Sequence, residues 1–148
     1  MKKLLVLVVA ISTMQSVSFA DHAQLSGLAL QLTRDSGALY SGARRVVGWY
    51  PTWRQRYALE HISFLNASSR RLQYTIQQSP AINDHAHDEA IHRAYRKVEY
   101  DVLNARETFG DLFRRYPTND HSADYVYLDR LLSHCENVVH TQIPQFLP

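Results

Sequence analysis

Apolar residues return every three or four positions along most of the chain, in four stretches separated by proline- or glycine-bearing segments. The first stretch carries Leu25, Leu28, Leu32, Leu39, Ala43 and Val46 on one face, and the second carries Trp53, Tyr57, Phe64, Leu65, Leu72 and Ile76. The third runs through Ile91, Ala94, Val98, Val102, Ala105, Phe109, Leu112, Phe113 and Tyr116. The fourth has Leu128, Leu131, Leu132, Cys135, Val138, Val139 and Ile143. These are helical periods. Strict alternation of apolar and polar residues is nearly absent, so strands are not expected.

Helix starts agree with the periods. Thr52 and Gln55 have capping-box spacing after Pro51, Asn83 or Asp84 suits the start of the third helix, and Asn119, Asp120 or Ser122 suits the fourth. Short connections make sequence neighbours antiparallel. The predicted architecture is all-α, an antiparallel up-down-up-down four-helix bundle.

Residues 1–20, "MKKLLVLVVAISTMQSVSFA", read instead as a cleaved signal peptide. Lys2 and Lys3 supply the charged start, Leu4 to Ile11 an apolar run too short to span a bilayer, and Ser18 and Ala20 the small residues before a cut. The domain organisation is therefore a signal peptide, 1–20, and a bundle domain, 21–148, with a periplasmic or secreted destination. No membrane-spanning segment is expected after processing.

Charge changes the picture once this leader is set aside. Loss of Lys2 and Lys3 reduces the 16 basic residues to 14, against 14 acids, so the formal charge of +2 belongs to the leader. A neutral exported domain does not suit nucleic acid. Cys135 is the single cysteine, which excludes an internal disulfide, and no Cys-x-x-Cys-His occurs for covalent haem. Met1 and Met14 both leave with the leader, which removes His/Met haem ligation and Met-rich copper sites. Nucleophile-elbow and metal-hydrolase motifs are absent.

Antiparallel folding gathers the remaining charge at two poles. One holds Arg44, Arg45, Arg54, Arg114 and Arg115 with Trp49, Tyr50 and Trp53. Guanidinium forks match carboxylate and phosphate, and Trp or Tyr faces stack on sugars, so this pole suits an anionic polymer or an envelope protein. The plainer account places Trp53 and Tyr57 in the core and pairs the arginines with Asp111, Glu60 or helix-end carbonyls.

The other pole holds His22, His85, His87, His92 and His140 with Asp21, Asp84, Asp88 and Glu89. At about 100° per residue, His85, Glu89 and His92 fall within roughly 60° of one another, a spacing from which side chains of one helix can reach one ion. Zn, Cu or Ni would be the ion, with His22, His140 or the terminal amine completing the ligands. Glu89-x-x-His92 is half of a di-iron pattern, but no second Glu-x-x-His occurs. The plainer account is a solvated helix start in which Arg93 pairs with Glu89.

His61, Asp101 and Cys135 are expected at one level of the bundle. They are either a buried histidine bonded to Asp101 beside an inert thiol, or a thiolate dyad. Taken together, the sequence leads to a small exported binding or interaction protein without catalysis of its own. The alternative is a periplasmic metal-binding or metal-sensing protein that uses the histidine pole.

Overall fold

The computed structural model describes residues 2–79, 85–114 and 121–148, with side chains described from residue 20 onward. The described residues form four helices and no strand: α1 (Lys2–Val47), α2 (Trp53–Gln78), α3 (His85–Thr108) and α4 (Ser122–Asn137). A 3-10 turn, Phe109–Phe113, extends α3, and a wider π turn, Val138–Gln142, followed by a 3-10 turn, Ile143–Gln145, extends α4. Together they make a helical bundle. Among the described residues no helix is long and apolar enough to cross a membrane. α1 is one helix of 46 residues and continues without a break across Ala20.

The apolar stripes of α1, α3 and α4 lie where the periodicity puts them. Leu25, Leu32, Leu39 and Ala43 of α1 are buried, as are Ile91, Val98, Val102 and Ala105 of α3 and Leu128, Leu132 and Cys135 of α4. Tyr116 and the expected caps Asn83, Asp84, Asn119 and Asp120 lie outside the described residues.

α2 differs from expectation. Its core line is Ala58, Ile62, Leu65, Ser69, Leu72 and Ile76, spaced by fours and threes. Trp53, Tyr57 and Phe64 instead stand exposed beside that line. Their rings carried the sequence reading because aromatics count as apolar, yet Trp and Tyr also tolerate water through a polar edge. The true line includes an alanine and a serine, whose small side chains allow close helix packing.

Several polar side chains are spent on joining the helices. Gln55 is fully buried and closes the capping box, its Oε1 accepting from Thr52 N at 3.0 Å and its backbone N–H donating to Thr52 Oγ1 at 3.2 Å. Its Nε2 then donates to Leu112 O at 3.0 Å, which ties the start of α2 to the turn after α3. Arg106 of α3 donates to Glu136 at 2.6 and 2.9 Å, to Asp129 at 2.6 Å and to Ser133 Oγ at 2.8 Å, all on α4. Asp35 and Gln31 of α1 hold His134 of α4 at 2.7 and 3.2 Å. Phe109, Phe113 and Tyr125 stack with centroids 5.1–5.7 Å apart.

Two local features follow from single residues. Pro144 has no N–H for His140, and its ring crowds the carbonyl four positions back. The helix accordingly widens, and Ile143 N donates to Val138 O. The Tyr95 hydroxyl lies 2.9 Å from the Val139 carbonyl and 2.8 Å from Glu99 Oε1, so its one proton is shared between the two acceptors. Burial and the adjacent Glu99 carboxylate push the Tyr95 phenol well above its ordinary range, so it stays a donor. Gly42 is the second feature. A Cβ there would lie 2.5 Å from Leu128 Cδ2, so a larger residue would force the buried Leu128 side chain to move.

Candidate functional site

The link between α1 and α2 is fixed at both ends. Gly48 ends α1 with φ +67°, and its N–H donates to Arg44 O at 3.2 Å, the left-handed helix ending that glycine makes without strain. Pro51 and the Thr52 cap then start α2. Trp49 and Tyr50 are thereby held away from the core, 95 % and 84 % exposed.

Beneath this link lies a groove of about 890 Å³, lined by Tyr40, Ser41, Arg44, Arg45, Gly48, Trp49, Pro51 and Tyr127. The groove is open to solvent along the exposed Trp49 face. Tyr127 belongs to α4 and reaches the groove because Leu128 packs against Gly42. Arg45 folds back over the same glycine, where an added Cβ would meet its Nη2 at 3.9 Å. Neither Arg44 nor Arg45 has an acidic partner among the described residues.

Of the residues expected at this pole, Arg44, Arg45 and Trp49 share the groove, whereas Tyr50 stands beside it on the same link. Arg54 lies over the Trp53 ring at 5.2 Å. Arg114 pairs with Asp111 at 2.5 Å, and Arg115 lies outside the described residues. Tyr40 and Tyr127 line the groove but were not singled out from the sequence. For Tyr127 the only local signal is Gly42 inside an otherwise regular helix.

At the other pole the structure brings together part of the expected set. His85 Nε2 lies 3.5 Å from Glu89 Oε1, with both side chains exposed, and Arg93 lies 3.8 Å from the other Glu89 oxygen. His92 Nε2 is 2.8 Å from Pro148 O, and His22 is half-buried on α1. Among the described residues no three His, Cys, Asp or Glu side chains are grouped to hold one ion. Asp84 lies outside the described residues.

The His61, Asp101 and Cys135 set does not assemble as a bonded triad. His61 is half-buried and packs edge-on against Tyr57 at 4.5 Å and Phe64 at 6.1 Å. Asp101 is buried and pairs with Lys97, whose ammonium lies 5.7 Å from the Phe64 centroid and 5.2 Å from that of Tyr100. The second Asp101 oxygen is buried with no hydrogen-bond partner among the described residues. Cys135 is buried, and burial, reinforced by the Asp35 and Glu136 charges, pushes its thiol up to about 12. A thiol so placed stays protonated at neutral pH, the opposite of an activated nucleophile.

No family model, curated protein or solved structure matches this chain.

Proposed function

We propose that the chain is exported, is cut after Ala20, and works in the periplasm or outside the cell as a small binding protein without catalysis of its own. Its bundle has the up-down-up-down order. That order is supported by cross-helix pairs such as Gly42 with Leu128, Asp35 with His134, Gln55 with Leu112 and Arg106 with Glu136. The ligand site is the groove between the α1–α2 link and α4, and the partner is an anionic component of the envelope.

One observation carries the reading. Two adjacent guanidinium groups without acidic partners line the same groove as an indole that is 95 % exposed. Arg93, Lys97, Arg106 and Arg114 have carboxylates, whereas Arg34, Arg70, Arg71 and Arg130, like Arg44 and Arg45, have none among the described residues, so what sets Arg44 and Arg45 apart is the groove they share with Trp49. Arg presents its donors as a planar fork suited to oxyanions, and here two such forks line one groove with an open indole. Side chains at the last turn of α1 also interact favourably with the negative end of its dipole, but that alone does not call for an indole beside them.

The test is retention of the processed chain on immobilised carboxylate-, phosphate- and sulfate-bearing ligands. Salt-sensitive retention that the Arg44→Gln/Arg45→Gln double variant loses, with its helical content intact, is the expected result. Retention that is indifferent to the double variant contradicts the reading.

A second reading rests on the contact between His85 and Glu89, with His92 one turn on. There the histidine pole takes Zn, Cu or Ni, and His85→Ala would weaken binding about tenfold or more. Metal titrations unchanged in the His85→Ala/His92→Ala variant count against it.

A further inference from the structure

Resting on the groove reading above, we infer that the groove's ligand is an acidic carbohydrate, a chain of hexuronate rings, and that Trp49 is the platform for one ring. The groove offers two kinds of contact at once. Arg44 and Arg45 donate to an anion, and Trp49 offers a flat, open apolar face, with Tyr127 and Ser41 adding hydroxyls at the edge.

The helix end narrows the choice of anion. The last carbonyls of an α-helix have no partners within it, and the Gly48 N–H satisfies only that of Arg44. These carbonyls and the dipole make the surroundings of the two guanidiniums locally negative. A dianion such as a phosphate ester is opposed by that field, whereas a singly charged carboxylate is opposed less. A hexuronate ring brings one carboxylate for the guanidiniums, hydroxyls that can pair with Ser41 and Tyr127, and an apolar C–H face for the indole.

Openness points the same way. The indole is almost wholly exposed, so it meets one face of a chain that passes along the groove and does not close over a small molecule.

The experiment uses the processed chain with Trp53→Phe, so that Trp49 is the remaining fluorophore. The probes are trigalacturonate, its neutral methyl ester, pyrophosphate and a short glutamate peptide. Trigalacturonate should change Trp49 emission and bind about tenfold or more tightly than its ester, as expected when a charge-assisted contact is removed. Trp49→Ala, read by calorimetry, should weaken trigalacturonate about tenfold, while any binding of pyrophosphate should be unchanged. Pyrophosphate or the peptide binding as tightly as trigalacturonate, with loss in Arg44→Gln/Arg45→Gln, refutes the uronate assignment and leaves the anionic groove standing. Failure of every probe to respond to the arginines refutes both.

Discussion

Along the α3–α4 seam, Arg106 lies between Asp129, Glu136 and Ser133, half out of water, with contacts of 2.6 to 2.9 Å. At the α1–α2 link, Arg44 and Arg45 stand in water beside Trp49, with no carboxylate from the described chain. The residue type is the same and the circumstances are opposite. Where an arginine is held by its own fold, its donors are used up and its loss should appear as stability. Where the fold leaves it open, its loss should leave stability alone and appear as binding. Residue type and local charge do not separate the two cases; the partners on neighbouring helices do.

The largest stability change is expected at the seam. Arg106→Met removes several charge-assisted hydrogen bonds and leaves the Asp129 and Glu136 carboxylates without their shared partner. The pairs are 26–39 % exposed, so the cost lies between that of a surface pair and a buried one, about 2–3 kcal/mol. Urea unfolding measures it, and a loss below about 0.5 kcal/mol would erase the distinction between the two regions.

Gly42→Val comes next, at about 2 kcal/mol, because its Cβ would overlap Leu128 in a packed interface. This substitution sharpens the comparison, since it also shifts Tyr127 at the groove. Both stability and ligand binding should fall, whereas Arg106→Met should lower stability alone.

Cys135 gives a pH prediction for the same α4 segment. Its thiol rises from 9.0 to about 12 on folding, so the unfolded chain ionises first. The associated stability is complete below pH 9 and is lost as pH rises toward 12. Between pH 8 and pH 10, the native chain should lose about 1 kcal/mol more than Cys135→Ala does. Parallel urea titrations at the two pH values test this, and equal losses would show that the thiol ionises freely in the fold.

The smallest change is expected at the groove. Arg44→Gln/Arg45→Gln should alter unfolding free energy by no more than about 0.5 kcal/mol, as for exposed residues without partners. A loss comparable to that of Arg106→Met would mean that these arginines serve the fold.

Much of the fold was legible because it rests on periodicity. Ile91, Val98, Val102 and Ala105 repeat at helical spacing, and Thr52 with Gln55 marks a helix start in four residues. The face of α2 was misread because Trp53, Tyr57 and Phe64 carry more apolar weight than Ala58, Ser69 and Gln55, which the interior takes. Hydrogen bonding makes Gln55 acceptable there, and no binary pattern contains that information.

The groove was half legible. Arg44, Arg45 and Trp49 are near neighbours in sequence, and the Gly-Trp-Tyr-Pro-Thr segment signals a turn. Tyr127 belongs to the site only through the approach of α4 to Gly42, a contact between residues far apart in the chain. The Asp35–His134 pair was invisible for the same reason. Which arginines were already paired could be known only after the helices were packed.

The most direct test is an amide and indole chemical-shift titration of the processed chain, using trigalacturonate and then pyrophosphate. The account predicts shifts confined to residues 40–51 and to Tyr127, with Trp49 moving most and Arg106, Glu136, His85 and His92 unmoved. Shifts centred on the α3–α4 seam or on the histidine pole, or an unchanged spectrum with both ligands, would contradict it.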